Sequence, residues 1–329
     1  MTSLISLITC SRDPDDEAFT ATLSSVSALR VPAGWSVEHL LVDNGSVESI
    51  ANRPLVRRYL AAHSWASLTR DDTEGLAFVR AHAIRASRGE LVLTVDDDNV
   101  LDPGYLEALV AAAVSMPEVG VFGAGHIEVI LPGDAPEWAS DPWVRQLFQE
   151  RSFPAPVVAA SLAWQAHYPP GTGMAVRRAV AMAFADAVER GEIRNVSRTG
   201  ERLGGGEDAQ IVWFCVRSGF LVGAFPSMRL RHVISSLRLT PAYVARLVFG
   251  IHESAPPARH EVFTDEHLPP LVPLRAIYRA LRGIPRGLHP VVRNARLATA
   301  LGDAAALCLM HKRPEPWWLR ALITRTGVR

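Results

Sequence analysis

Short apolar runs alternate with longer helical patterns along the first half of the chain. The apolar runs, each followed by polar residues, predict strands at residues 3–9, 37–42, 91–95 and 119–122. Apolar residues at helical spacing predict helices between them, at residues 17–29, 53–62, 76–87 and 103–116, with Pro103 at a first helical position. Alternating strands and helices indicate an α/β fold with a mostly parallel sheet covered by helices on both faces.

The pattern changes in the second half of the chain. Residues 132–156 contain several prolines and tryptophans, which indicates a long, partly ordered loop region. Helical patterns return at residues 175–190 and 207–218, and from residue 239 onward the chain is predicted to be mostly helical. We therefore expect an α/β domain over residues 1–235 and a helical C-terminal extension over residues 236–329.

Composition narrows the class of protein. Of 329 residues, 48% are hydrophobic and 21% are charged, which is typical of a globular chain and excludes a disordered one. The 34 acidic residues balance 34 basic ones, which argues against a protein that coats nucleic acid. Three scattered cysteines are too few for a disulfide framework, and no segment resembles a signal peptide or a membrane span of roughly 20 residues. We expect a cytoplasmic protein.

The charge is unevenly distributed along the chain. Residues 271–329 contain eleven basic and two acidic residues, a net charge of +9, so the first 270 residues carry a net charge of −9. Such a basic segment is consistent with peripheral contact with an anionic membrane or with an anionic substrate. It is equally consistent with the solvated face of helices that pack on an acidic domain.

The most specific chemical signal is the run Asp96-Asp97-Asp98, directly after the strand predicted at residues 91–95. Three consecutive carboxylates at the end of a buried strand repel one another, and a divalent cation with oxygen ligands relieves that repulsion. Mn²⁺ or Mg²⁺ bound in this way commonly keeps substrate phosphates among its ligands. The alternative is a solvated acidic turn before the next helix, a role that Asp102 can fill alone. The triple carboxylate favours the metal site.

Two further polar positions belong to the same predicted edge of the sheet, where ligands of such folds bind. Asp43 follows the second strand, where a carboxylate can accept hydrogen bonds from a ribose or a base, although Asn44-Gly45 is also a common turn. Arg80 lies on the helix that follows Gly75, where it can reach a base or a phosphate. An exposed surface arginine is the alternative.

A second acidic cluster, Glu207-Asp208, follows three consecutive glycines and opens a helix. A carboxylate in a closed cleft can act as a general base, whereas two acids at a helix start can also simply complement the helix dipole. Upstream, Gly171, Gly173 and Met174 belong to another glycine-rich segment that precedes a predicted helix. Downstream, His232 can complete a metal site or have a structural role. Candidates for stacking on a sugar, with core packing as the alternative, are Trp138, Trp164 and Tyr168.

These motifs, in this order over roughly residues 3–235, resemble those of the family 2 glycosyltransferases with the GT-A fold. The resemblance implies that the nucleotide-sugar donor contacts Thr9, Arg12, Asp43, Gly75, Arg80, Asp96 and Asp97. It implies a metal ion, Mn²⁺ or Mg²⁺, at Asp98, with Asp96 and His232 as further ligands. It implies an acceptor side at Gly171, Gly173, Met174 and Trp164, and catalysis by Asp208 as the base, next to Glu207. The sequence around Gly75 and Arg80 departs from the family's Asn-x-Gly…Ala-Arg-Asn pattern.

The resemblance also implies the reaction: inverting transfer of one sugar from a nucleotide-diphosphate donor, by default UDP-linked, to an acceptor hydroxyl. The Gln-x-x-Arg-Trp motif of processive synthases is absent, which indicates single-sugar transfer by a non-processive enzyme. The segment after His232, with Arg238, Thr240 and Tyr243, resembles that of bacterial members of the family. The acceptor is left open among a glycan, a lipid-linked molecule and a small molecule. Two alternatives remain at this point, a metal-dependent phosphohydrolase with a nucleophilic aspartate and a catalytically silent nucleotide-binding scaffold.

Overall fold

The computed structural model describes residues 2–194, 203–282 and 289–329. Its strands are β1 (Ser3–Ser11), β2 (Trp35–Asp43), β3 (Ala66–Arg70), β4 (Leu91–Thr94), β5 (Asn99–Leu101), β6 (Val119–Ile130), β7 (Arg151–Ser152), β8 (Val157–Ala159), β9 (Ala175–Arg177) and β10 (Leu221–Val233). Its helices are α1 (Asp16–Ser27), α2 (Pro54–Ala62), α3 (Leu76–Ala86), α4 (Tyr105–Ser115), α5 (Pro142–Leu147), α6 (Arg178–Glu189), α7 (Glu207–Arg217), α8 (Pro241–Val262), α9 (Pro273–Arg282), α10 (Pro290–Met310) and α11 (Trp317–Thr326).

The strands form one mixed sheet in the order β3-β2-β1-β4-β9-β6-β10-β5, with β7 beside β6 and β8 beside β10. The first four strands in this order are mutually parallel. The register pairs Ser11 at the end of β1 with Asp43 at the end of β2, and Ile8 with Thr94 at the end of β4. The carboxyl ends of these strands therefore meet at one edge of the sheet.

The predicted α/β architecture is confirmed, with corrections in the second half. All four predicted strands are present, but β9 runs antiparallel to both β4 and β6, so the sheet is more mixed than expected. The helix predicted from residue 175 begins only at Arg178, because Ala175 and Val176 are buried in β9. The helix predicted from Pro103 begins at Tyr105. Residues 132–156 include the short helix α5 and β7 rather than continuous loop.

Apolar side chains fill three clusters around the sheet. One cluster lies between the sheet and α3, α6 and α7, and a second lies on the side of α1, α2 and α4. The third joins α8, α10 and α11 to Val129 of β6 and Val144 of α5. The helices that follow residue 240 are thus packed onto the end of the sheet through a continuous apolar cluster. None of the helices in the described residues has both the length and the hydropathy to cross a bilayer.

All three cysteines are free thiols, and all are shielded. Burial raises the pKa of both Cys10 and Cys215 to about 12. Burial also raises the pKa of Cys308. The thiolate, which is the reactive form, is therefore scarce at each position near neutral pH.

Gly173 allows the chain to turn closely over the sheet just before β9. It has φ +62°, a left-handed conformation, and its carbonyl accepts a hydrogen bond of 2.5 Å from the Tyr105 hydroxyl. A Cβ at this position would overlap Leu230 and approach the Tyr105 Oη to 2.7 Å. Glycine is thus required both by the backbone and by the space.

We expect Gly173→Ala to lower the free energy of unfolding by about 2–4 kcal/mol, because left-handed strain and overpacking act together. Urea unfolding followed by circular dichroism measures this. Gly133→Ala is the matched control, since no atom lies within 4 Å of a Cβ added at Gly133. Equal midpoints for the two variants would contradict the packing argument.

Candidate functional site

The three aspartates form the turn that joins β4 to β5. Asn99 stabilises this turn with two hydrogen bonds. Its Nδ2 donates to Asp98 Oδ1 at 2.8 Å, and its Oδ1 accepts from the Asp96 backbone N–H at 3.2 Å. Asn99 is completely buried, and the sequence argument did not assign it a role. The run of carboxylates is therefore held rigidly at the edge where the parallel strands end.

Asp97 faces the end of β1. The Ser11 hydroxyl donates to Asp97 Oδ2 at 2.5 Å, a contact that the sequence did not reveal. Burial, and then the negative charge of Asp98, raise the pKa of Asp97 to about 7. Ionising this group near neutral pH is thus opposed by its neighbours.

Asp98 lies between two basic side chains, His232 at the end of β10 and Arg238 in the turn that follows it. Its Oδ2 forms an ion pair of 2.7 Å with Arg238 Nη1 and lies 3.4 Å from His232 Nε2. His232 Nδ1 donates to the Phe148 carbonyl at 2.9 Å, which orients the ring. Burial alone would lower the pKa of His232, but the carboxylate of Asp98 outweighs burial and raises it. The structure thus brings the predicted metal residues Asp98 and His232 together and adds Arg238, to which the sequence argument gave no role in the site.

Arg80 connects the two acidic clusters. Its guanidinium lies 3.3 Å from Glu207 Oε1 through Nη1 and 3.5 Å from Asp96 Oδ1 through Nη2. The Arg80 side chain is only 4% exposed, so the alternative of a surface arginine is wrong. A cation buried in this way stabilises two carboxylates that would otherwise repel each other.

Asp208 lies at the start of α7, against the glycine turn before β9. A Cβ at Gly171, which has φ +59°, would lie 3.4 Å from Asp208 Oδ2, so the absence of a side chain lets this turn pack directly against the carboxylate. Burial, and then the charge of Glu207, raise the pKa of Asp208 to about 6. The Thr94 hydroxyl binds the carbonyl of Gly171 at 2.8 Å and contacts that of Met174 at 3.1 Å, which ties this turn to the end of β4.

Two residues predicted to contact a nucleotide have other partners. Thr9 is fully buried, and its hydroxyl lies 3.0 Å from His39 Nε2, so the predicted side-chain contact with a ligand does not fit its placement. The Asp43 carboxylate is 1% exposed and holds the following loop through Ser46, Ser49 and Ile50, with Arg70 at 3.3 Å. Burial would raise the pKa of Asp43, but these hydrogen bonds lower it. Asp43 thus shapes the edge of the site and has little surface for direct contact.

The remaining predicted residues differ in accessibility. Arg12 is exposed on the turn after β1, and Gly75, with φ +105°, is buried directly before α3. Trp164 is 45% exposed, with its ring centroid 5.5 Å from Tyr168 and 6.2 Å from Trp213. Tyr168 is fully buried, and Trp138 packs against the third apolar cluster, so both fit the core alternative. Of the three aromatic candidates, Trp164 is the one that presents a ring to solvent.

The carboxylates at this edge are of the chemical type that binds a divalent cation. Five carboxylates gather here around the guanidinium groups of Arg80 and Arg238; they are Asp96, Asp97, Asp98, Glu207 and Asp208. Burial, and then repulsion between carboxylates, raise the pKa values of Asp97 and Asp208. Carboxylate oxygens are the ligands that Mn²⁺ and Mg²⁺ prefer. Within residues 2–194, 203–282 and 289–329, no group of three or more His, Cys, Asp or Glu side chains is arranged around a single metal position. The predicted set of three ligands, Asp96, Asp98 and His232, is therefore not assembled around one point.

A family model described as "Glycosyltransferase like family 2" matches residues 7–248. The match includes every site residue discussed above and continues past residue 235 into α8. No curated protein sequence matches the chain.

Solved structures share the fold at low sequence identity. A mannosyltransferase from Pyrobaculum calidifontis, in complex with GDP-Man and Mn²⁺, is 15% identical with a TM-score of 0.51, over 98% of this chain and 78% of that one. S. aureus TarS 1–349 in complex with UDP-GlcNAc is 14% identical with a TM-score of 0.50, over 95% and 93% of the two chains. GalNAc-T7 with UDP, GalNAc and Mn²⁺ is 16% identical with a TM-score of 0.51, over 96% of this chain but 59% of that one. The chain thus spans less than two thirds of GalNAc-T7.

The raised pKa of Asp97 leads us to expect that the folded chain loses stability as pH rises. A carboxyl whose pKa is higher in the folded than in the unfolded chain binds its proton more tightly when folded, so its contribution to stability is lost as pH rises. For Asp97 this range extends from its ordinary value of 3.8 to about 7. We expect the stability of the wild type, relative to Asp97→Asn, to fall by about 1–3 kcal/mol between about pH 4 and pH 8.

Urea unfolding of the wild type and Asp97→Asn over this pH range measures the difference. Glu118→Gln, an exposed carboxyl at the opposite edge of the sheet, is the control. If the wild type and Asp97→Asn change in parallel with pH, the repulsion at this edge has been misassigned.

Proposed function

The chain belongs to glycosyltransferase family 2, and from this premise we propose that it transfers a single sugar, with inversion, from a nucleotide-diphosphate donor to an acceptor hydroxyl. The observation that carries the proposal is the position of Asp208, which lies against the glycine turn at Gly171 and is linked through Glu207 and Arg80 to the Asp96 turn. The family match favours this reaction over the phosphohydrolase alternative. We assign the reaction to residues 1–235 and treat residues 236–329 as an extension.

We propose that Asp208 is the general base. A base must be ionised to accept the proton of the acceptor hydroxyl, and a pKa near the working pH gives the most effective compromise between ionisation and basicity. The pKa of Asp208, raised to about 6, leaves it largely ionised at neutral pH and more basic than an ordinary aspartate. Deprotonation of the hydroxyl as its oxygen attacks the anomeric carbon gives a single displacement without a covalent sugar–enzyme intermediate.

We propose that Asp98 and Asp96 hold the metal ion. One or two carboxylates are enough for Mn²⁺ or Mg²⁺ when substrate phosphates supply other ligands. When bound, such an ion stabilises the charge that develops on the departing diphosphate. His232 and Arg238 position the Asp98 carboxylate, and Arg80 holds Asp96 and Glu207 in place.

For the donor and the acceptor we propose candidate contact residues and chemical classes. The exposed Arg12 and the turn around Gly75 are candidates for the nucleotide, for which we favour UDP, although the solved neighbours hold either UDP- or GDP-linked sugars. On the acceptor side, the exposed ring of Trp164 offers a stacking surface for a glycan, a lipid-linked sugar or a small molecule. We propose a cytoplasmic location, in line with the free thiols.

We expect Asp208→Asn to lower the rate of transfer by about 10²–10⁴-fold while leaving donor binding unchanged, because an amide cannot accept the hydroxyl proton at neutral pH. Transfer is measured by nucleotide release with a panel of sugar acceptors, and donor binding by thermal shift. Asp265→Asn, an exposed carboxyl after α8, is the matched control. Normal turnover of Asp208→Asn would overturn the assignment of the base.

The donor site itself is tested by thermal shifts with UDP, GDP and dTDP, each with and without Mn²⁺. At about 100 times its dissociation constant, a ligand of the folded state adds about 2.7 kcal/mol to stability, which gives a measurable shift. We expect a Mn²⁺-dependent shift with one nucleotide that is lost in Asp98→Ala and kept in Asp265→Ala. The absence of a shift with all three nucleotides in the wild type would contradict a nucleotide-diphosphate site.

A further inference from the structure

The segment that leads into α9, and α9 itself, expose apolar side chains. Leu274 is 65% exposed and Tyr278 is 63% exposed, and Leu271 and Val272 directly before the helix are also exposed. Leu274 and Tyr278 are four residues apart, so they lie on one side of the helix. Single exposed apolar residues are common, but four within eight residues form a patch that calls for a partner.

Basic residues border this patch. Arg275 and Arg282 are exposed and, at 3.6 residues per turn, lie beside Leu274 and Tyr278 on α9. Ile277, on another side of the helix, packs against the third apolar cluster, which fixes α9 onto the protein and turns the patch outward. The six residues Leu271, Val272, Leu274, Arg275, Tyr278 and Arg282 are called the α9 face below.

The turn between α10 and α11 adds positive charge next to the α9 face. His311 Nε2 donates to the Pro269 carbonyl at 2.7 Å, which joins this turn to the chain just before Leu271. Lys312 and Arg313, the next two residues, are exposed. The net charge of +9 over residues 271–329 is thus concentrated, in part, around an apolar patch.

We propose that the α9 face docks on an anionic phospholipid surface. A short helix with exposed apolar side chains bordered by arginines matches both parts of such a surface, since the apolar groups enter the acyl boundary and the guanidinium groups meet phosphates. A second copy of the chain fits poorly, because like charges would face each other across the interface. Nucleic acid leaves Leu274 and Leu271 without an apolar counterpart.

The docking does not depend on the proposed sugar transfer. The α9 face contains none of the residues assigned to the donor, the metal or the base. Docking would hold the enzyme at the surface where lipid-linked acceptors are found, which favours that acceptor class among the three left open. Failure of the binding experiment below would leave the transfer reaction untouched, and loss of transfer in Asp208→Asn says nothing about docking.

Flotation of the full chain with vesicles tests the proposal. The vesicles contain phosphatidylcholine alone or mixed with phosphatidylglycerol, at low and at high salt. We expect binding to the anionic vesicles that weakens with salt, and little binding to the neutral ones. Each arginine near an anionic surface contributes about fivefold to affinity, so Arg275→Gln/Arg282→Gln should weaken binding by about 25-fold.

Control variants test whether binding depends on the α9 face itself or only on the total charge and hydropathy of the surface. Arg57→Gln/Arg58→Gln makes the same charge change on exposed positions of α2 and should bind like the wild type. Leu274→Ser/Tyr278→Ser should weaken binding, whereas Val114→Ser, at a 71% exposed position of α4, should not.

Three results would overturn the proposal. The first is equal binding to neutral and anionic vesicles, and the second is unchanged binding of both α9 double variants. The third is a dimer in light scattering, without vesicles, that Leu274→Ser/Tyr278→Ser abolishes, since that result would make the α9 face an interface between copies of the chain. All substituted side chains are exposed, so loss of folding is not expected to obscure the comparison.

Discussion

The site depends on one buried cation, the guanidinium of Arg80. It lies between Glu207 and Asp96, which belong to distant parts of the sequence, and its side chain is almost completely removed from solvent. A buried arginine is tolerated only when it is paired, and two carboxylates at one edge are tolerated only with a cation between them. The positions of α3, the β4–β5 turn and the start of α7 are therefore mutually dependent. A change at Asp96 or Glu207 would remove one of the two carboxylates that pair with the buried Arg80.

The sequence was sufficient to locate the acidic clusters because each is contiguous and follows a recognisable element. Asp96, Asp97 and Asp98 come directly after a buried strand, so the rule for strand ends places them at the edge where ligands bind. Glu207-Asp208 opens a helix after glycines, and the resemblance to the family assigned it to the same site. Their partners were not predictable in this way. Arg238 and Ser11 reach the aspartates from other strands and turns, and only the tertiary fold brings them within hydrogen-bond distance.

The differences between expectation and structure have equally local causes. The resemblance assigned Thr9 to the donor, whereas the side chain of a strand residue points to one face or the other, and that of Thr9 points to His39. The three-residue strands β5, β8 and β9 are too short for alternation to be visible in sequence. Ala175 and Val176 have a helical pattern, and it is pairing with β4 and β6 that makes them a strand.

The shielding of the thiols has a practical consequence for work on this enzyme. Cys10 lies in the same electrostatic environment as Arg80 and Asp96, yet burial keeps its proton in place, as it does for Cys215. Maleimides and iodoacetamides react with thiolates, so a cysteine introduced on an exposed helix such as α2 would be alkylated well before the native ones. A fluorescent or spin label can therefore be attached at a single added cysteine without first removing the native ones.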